Sequence, residues 1–507
     1  MEINRHICTQ LMEKNKSFSQ ITLDDDYIVR DNKPDAVRII YPRGDIFVED
    51  VKAGNQGVWI TGKLRFSVLY QSDDENHRLE SVNGEIPFQE KLMMDRVEES
   101  DDVMVDMEIE DLTIGIINSR KLSIRAVVNV TARNLEEEDT DIACSIFELG
   151  YQQKTKEYPM LCLLENKKEQ LRMQKEMLLP NSRSNIGQLT FYQVDFRNEE
   201  IMLQNDMAQI KVDAQIWVLY RSETTGEYEC FETLVPLSGE IDVDMLRGDE
   251  IFWAKIKPIE VEIEPRSDYD GESRMLGLDM ILEVELQIYR EEECQVLEDA
   301  YALDKELLMD RKDIPISQLL IKNISKIRLM EQESIGPNQQ KILQICGSSG
   351  KITLDRVQKR ENGIQVEGVL SVHILYNTAD DAMPLVHTNC HISFEQMVEI
   401  EGFSEDALCW INKSIEQLQV NLLEPSEYEV KALIQIAVLA IKKKSLSNIV
   451  SIEEEMLDME TLQKQPGLIG YVCREGEDLW DVAKRYHATT DNMIEVGNKV
   501  LIVKQVH

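Results

Sequence analysis

The sequence predicts a mainly β fold: three repeated, antiparallel β-rich units of sandwich type, followed by a small β-α-α-β module at the C-terminal end. Three observations predict it. Segments "VWITGKLRFSVLY" (58–70), "AQIKVDAQIWVLY" (208–220) and "IQVEGVLSVHILY" (364–376) end alike, and counting back in twos from Tyr70, Tyr220 and Tyr376 gives seven apolar or glycine positions in each. Period two puts one continuous apolar face on a long strand. A second alternating strand follows in each copy, from Leu122 to Val130, Leu276 to Ile288 and Val430 to Ala440. Near the end of the chain, Leu479, Val482, Ala483 and Tyr486 fall at i, i+3, i+4 and i+7, an apolar helical stripe between two short apolar strands.

In chain order, residues 1–150 form the first β-rich unit, 151–310 the second and 311–445 the third. A shared landmark follows the strand-end tyrosines, "GEIPF" (84–88), "GEIDV" (239–243) and "CHISF" (390–394), beginning 14, 19 and 14 residues downstream. The tyrosines are 150 and 156 residues apart, so each copy is a whole domain with its own core, not a solenoid repeat. Clean alternation implies sheets with one buried and one wet face. The acidic run "VEESDDVMVDMEIED" (97–111) is expected to be a solvated, self-repelling loop, and "ISQLLIKNISKIRLMEQ" (316–332) a helical lead into the third unit. A charged linker, 446–468, closes on Pro466 and Gly467, and the module occupies 469–507.

With 94 Asp and Glu against 55 Lys and Arg, the net charge is −39, which disfavours nucleic-acid backbones and anionic membrane surfaces as partners. The N-terminal "MEINRHICTQLMEKNKSFSQ" lacks the apolar core of a signal peptide, and no apolar run reaches bilayer-spanning length. The nine cysteines are scattered, odd in number and contain no CxxC pair, a pattern that suits reduced thiols in a cytoplasm.

Catalytic motifs are absent from the sequence, and a non-enzymatic protein without a cofactor is expected. The best metal candidate is "VHTNCH", with His387, Cys390 and His391 and with His373 as a fourth ligand. Its competing reading is an ordinary strand, because His391 aligns with Glu85 and Glu240 of the sister units, and no metal site is assigned. The three strand-end tyrosines are expected to pack their rings at the core rim with the hydroxyls toward water.

The terminal stretch "YVCREGEDLWDVAKRYHATTDNMIEVGNKVLIVK" (471–504) reads as strand, helix, helix, strand. Asp478 stands at the N-cap, and Lys484 and Arg485 lie in the last turn, where positive charge suits the helix dipole. Thr489 or Thr490 caps a second helix that turns Met493 and Val496 inward. This pattern, and "GEDLWDVAKRY" above all, resembles the LysM domain. The resemblance implies a glycan groove for peptidoglycan or N-acetylglucosamine oligomers, with Gly476, Glu477, Asp478 and Leu479 on one rim and Trp480, Met493 and Ile494 in the binding region. On the other rim only Gly497, Asn498 and Lys499 separate Val496 from Val500, and the family's longer loop is missing. Trp480 is either a partner contact or a core residue of the module.

Three β-rich units carrying G-x-L-x-[FVI]-x-[VI]-L-Y, followed by a LysM-like module, together resemble the SipL-like SPOCS-domain family of spore-forming Clostridia. The second copy departs from the motif, with Val212 and Ala214 in place of Gly and Leu. What the resemblance implies is a spore-coat morphogenesis scaffold at the forespore surface, in the mother-cell cytoplasm. Its module docks to the coat basement-layer ATPase of SpoIVA type. The alternative is a peptidoglycan-binding protein of the cell wall or spore cortex.

Overall fold

The computed structural model describes residues 2–54, 57–74, 78–244, 246–404, 407–457, 466–474 and 477–503. Strands dominate throughout. The first six are β1 (Ile3–Ile28), β2 (Ala36–Gly54), β3 (Gly57–Ser72), β4 (Leu79–Met93), β5 (Val103–Asn118) and β6 (Lys121–Ile146). They make two antiparallel three-stranded sheets, in order β2-β3-β4 and β1-β6-β5. The plan repeats in β7 (Tyr151–Leu178), β8 (Ile186–Gln204), β9 (Met207–Ser222), β10 (Tyr228–Asp242), β11 (Ile251–Arg266) and β12 (Met275–Ala302). It repeats again in β13 (Lys305–Ser334), β14 (Gln344–Arg360), β15 (Gly363–Asn377), β16 (Leu385–Glu399), β17 (Leu408–Glu424) and β18 (Glu427–Met456).

The period-two strands of the sequence are the central strands of these sheets, and their apolar faces meet across each sandwich. Leu64, Phe66 and Val68 of β3 pack with Ile124, Ala126 and Val128 of β6 in one core, and β15 with β18 build the equivalent core in the third unit. The tyrosines go deeper than the rim. Tyr70, Tyr220 and Tyr376 are fully buried, and Tyr70 Oη donates to Pro34 O at 3.0 Å. Tyr220 Oη lies 3.0 Å from the Glu229 carboxylate and 3.3 Å from Ser184 O. A buried phenol needs such an acceptor, and the turn before each small sheet supplies it in the first two units.

Four further expectations are corrected. Residues 316–332 form strand, inside β13, where a register shift between Leu319 and Ile321 breaks the alternation and mimics helical spacing. The acidic run is strand from Val103 onward, with Val103, Val105 and Ile109 in the first core and Asp106 and Glu108 between them turned to the neighbouring units. Residues 446–456 continue β18, so the linker begins later than expected, and 458–465 lie outside the described residues.

The shared landmark of the second unit also shifts. Strand register places Gly84 opposite Phe66 and Cys390 opposite Val372. Thr233 stands opposite the equivalent Ile216, so "TLVPL" (233–237), not "GEIDV", matches "GEIPF". His391 therefore aligns with Glu85 and with Leu234, not with Glu240.

The three units do not hang as beads. Beyond Asn134, Tyr289 and Ile441 the inner strands lose their third partner, so β1 with β6, β7 with β12 and β13 with β18 continue as two-stranded ribbons. A lone ribbon is marginal in water. Here all three bury against one another. Ile142 from the first unit, Met160 and Val296 from the second, and Ile316 and Leu446 from the third share one cluster, and Ala143, Leu297, Ala300 and Ile449 another. At the opposite side the small sheets converge on Tyr41, Leu69, Trp217, Leu219, Leu375 and Leu385. Contrary to the all-thiol expectation, a disulfide joins Cys8 of the first unit to Cys162 of the second within this ribbon stem.

Candidate docking module and its seat

The terminal module is built from β19 (Leu468–Val472), α1 (Leu479–Arg485), one 3-10 turn (Thr490–Asn492), β20 (Met493–Val496) and β21 (Lys499–Val503). The first helix is as the sequence predicts. Asp478 caps it in a reciprocal capping box with Asp481, and Val482 and Ala483 are buried. The expected second helix is not formed, so the module is not a β-α-α-β unit. Thr489 makes no side-chain cap bond, the helical geometry stops after one 3-10 turn, and Met493–Val496 pairs antiparallel with β21. The physical cause is the short connection. Gly497 has φ +68°, and Gly497 and Asn498 close a two-residue hairpin that draws the segment before it into the sheet. What reads in the sequence as a truncated groove rim is a β-turn.

The result is a three-stranded sheet in order β19-β21-β20 with two unlike faces. Ile469, Tyr471, Val500, Ile502 and Met493 pack against Val482, Leu479 and Tyr486 in the module core. On the other face, register places Leu468 beside Val503, and Leu501 beside Ile494. Leu468, Val472, Ile494, Val496, Leu501 and Val503 are all exposed there. Val496, expected to turn inward, is 73% exposed. Apolar residues clustered on one face mean more than the same residues scattered singly.

Of the candidate site residues, Gly476 lies outside the described residues. Glu477 is used internally: its carboxylate accepts from Tyr471 Oη at 2.8 Å and Arg474 N at 3.0 Å and pairs with Arg485 at 2.6 Å. These bonds, the Arg474 amide foremost, hold its pKa below the usual carboxylate range. Asp478 caps α1 and meets Lys154 of the second unit at 2.8 Å, and that bond lowers its pKa. Leu479 and Met493 pack into the module core, while Ile494 stands on the exposed face.

Trp480 turns toward its own chain. Its Nε1 donates to Asp299 Oδ2 at 2.8 Å, and its ring meets Tyr301 edge-on with centroids 4.9 Å apart. Lys484 Nζ reaches both Asp299 oxygens, at 2.6 and 2.9 Å, and Tyr301 Oη donates to Ala488 O at 2.7 Å. His487 Nδ1 lies 3.1 Å from Ala302 O. The module is thus seated on the end of the β12 ribbon through one face of α1. The sequence contains Asp299 and Tyr301 in plain view, yet no local signal marks them as a seat.

The histidine cluster does not gather as a ligand set. His373 Nδ1 lies 3.0 Å from His387 Nε2 in a stacked pair beside Tyr41, His391 faces Ser371 at 3.0 Å, and Cys390 is buried in the third core. Cys390 and His391 are strand neighbours and point to opposite faces. A cleft of about 1240 Å³ opens where the three units meet. Two of its cations are matched across units, Lys255 on Asp106 at 2.5 Å and Lys413 on Glu108 at 2.8 Å, Lys168 pairs with Glu283 of its own unit, and burial raises the Glu199 carboxyl to about 7. The cross-unit pairs hold units together and leave no one-signed surface for an ionic ligand.

Among the described residues no helix is long and apolar enough to cross a membrane. No curated protein and no solved structure matches this chain. The family model for the SipL, SPOCS domain matches residues 35–117 and 341–423, which run from β2 to β5 in the first unit and from β14 to β17 in the third. The second unit, outside the match, has the same strand order, so two copies of a SPOCS domain flank a third sandwich built on the same plan, and over those two segments the chain is similar to the SipL family.

Proposed function

We propose that this chain is a non-enzymatic scaffold of spore-envelope assembly, in which the fused β units form a rigid body and the terminal module docks to the coat basement-layer ATPase of SpoIVA type. The two SPOCS-domain matches support the sporulation setting. The observation that carries docking is the outward apolar face of the terminal sheet, Leu468, Val472, Ile494, Val496, Leu501 and Val503, on a module whose other faces are committed to its own core and seat. An apolar centre with polar surroundings is how protein interfaces hold their partners. The hairpin at Gly497 and the internal use of Glu477 and Asp478 weigh against the peptidoglycan alternative, because they take up the residues a sugar groove would use. On this reading Ile494 is the partner contact among the candidate residues, and Trp480 holds the module in place.

Binding of the purified ATPase tests the reading. Ile494→Asp with Val496→Asp should weaken it roughly 10- to 100-fold, as hot-spot losses do, with an unchanged circular dichroism spectrum. Unchanged affinity in that variant would sink the reading, and saturable binding of N-acetylglucosamine oligomers to the module would restore the glycan alternative.

A further inference from the structure

In the ribbon stem, three donors from two units point at one another. A ring nitrogen of His6, Cys162 Sγ and a Glu292 carboxylate oxygen all lie within 4.8 Å of each other, and His6 Nε2 is 3.4 Å from Glu292 Oε2. Cys8, two residues from His6 and so on the same face of β1, contributes a second sulfur through its bond to Cys162. Cys8 and Cys162 are buried, and their Cα atoms are 5.4 Å apart. Two sulfurs, one imidazole and one carboxylate are a zinc donor set, for which tetrahedral metal–ligand distances of about 2.0–2.3 Å require donors about 3.3–3.8 Å apart. The His6–Glu292 separation of 3.4 Å already falls in that range.

We propose that reduction of the Cys8–Cys162 disulfide opens a zinc site formed by Cys8, Cys162, His6 and Glu292, so that the first and second units are stapled by a disulfide in the oxidised protein and by a metal in the reduced one. The chemistry balances. An external thiol or phosphine reductant supplies two electrons, the S–S bond breaks, and two protons give two thiols. Zinc binding then displaces those two protons and takes both sulfurs as thiolates. Arg290 Nη1 forms an ion pair with Glu292 Oε1 at 3.7 Å. The site spans the two units and has no counterpart in the segments matched by the family model.

Cobalt(II) is the probe. Full-length protein reduced under argon and mixed with one equivalent of the ion should show thiolate-to-cobalt charge transfer with a tetrahedral visible band, and zinc should abolish both. The oxidised protein should show neither. Cys8→Ser with Cys162→Ser should lose the charge-transfer band, and His6→Ala should weaken binding at least roughly tenfold while keeping both thiols. Cys144→Ser with Cys294→Ser, which removes the neighbouring thiols of the same cluster, should leave the spectrum intact. Circular dichroism of the reduced, metal-free protein confirms that the fold persists. Absence of the band in folded reduced protein, its survival in the Cys8→Ser/Cys162→Ser pair, or its loss in the Cys144→Ser/Cys294→Ser pair would each overturn the assignment.

Discussion

A single exchange of volume separates the second unit from its sisters. Gly62 faces Phe88 and Gly368 faces Phe394, and a Cβ on Gly62 would lie 2.7 Å from the Phe88 ring and 2.3 Å from Phe47 O. In the second unit Val212 faces Leu237, and the bulge opposite, two residues against one as at Gly62, takes a different backbone course, with Asn198 at φ +48°. The smaller partner and the left-handed turn of the bulge at Asn198 make room for the branched side chain. Gly62→Val should therefore destabilise the protein by about 3 kcal/mol, and adding Phe88→Leu should recover only part of it, because the clash with Phe47 O stays. Urea midpoints of the two variants check this, and full recovery would show that the bulge is irrelevant. Also at this scale, burial, then the neighbouring His373, pushes His387 down to about 4. The folded pKa lies below the unfolded value of about 6.5, so the unfolded chain binds the extra proton between those values. The neutral pair contributes fully above about pH 6.5, and as pH falls toward 4 up to about 3 kcal/mol is lost. His387→Asn should flatten that part of the stability profile, measured by denaturation at pH 7 and pH 4.5.

At the scale of elements, the terminal module shows how little separates one fold from another. The α1 stripe, its Asp478 cap and its cationic last turn are local, and the sequence displays them all. The segment after Thr490 is decided by pairing instead: a glycine at the first turn position allows a two-residue hairpin, and strand β21 then recruits Met493–Val496. The same contest explains β13, where one bulge makes strand spacing look helical. The seat is an element-level contact too. Trp480→Ala removes the bond to Asp299 and the edge-to-face contact with Tyr301 but leaves the sheet face untouched. It should raise amide exchange in Ala300–Ala302 and α1 severalfold while changing ATPase affinity by less than about threefold, since buried hydrogen bonds and aromatic pairs contribute about 1 kcal/mol each. An equal loss of affinity and of seating would show instead that the seat, not the apolar face, presents the module.

For the whole molecule, the decisive feature is the stem, in which three ribbons that are each marginal alone become mutually buried. Ile142→Ala, at a fully buried position shared by all three units, should cost about 2–5 kcal/mol and lower one common thermal transition. Resolution into three separate transitions in calorimetry would contradict a fused body.

By itself the sequence determined the class of the central sandwich strands, because alternation at period two is written residue by residue at Val58–Tyr70, Ala208–Tyr220 and Ile364–Tyr376. It also determined the threefold repetition and the first helix of the module. Only the tertiary structure decided that the Tyr70 and Tyr220 hydroxyls turn inward to carbonyls, that Cys8 meets Cys162 across 154 residues, that Trp480 rests on Asp299, and that the units fuse at a stem. Periodicity is a property of neighbours along the chain, whereas each of these contacts joins residues on different strands, and nothing local selects the partner until the sheets have packed.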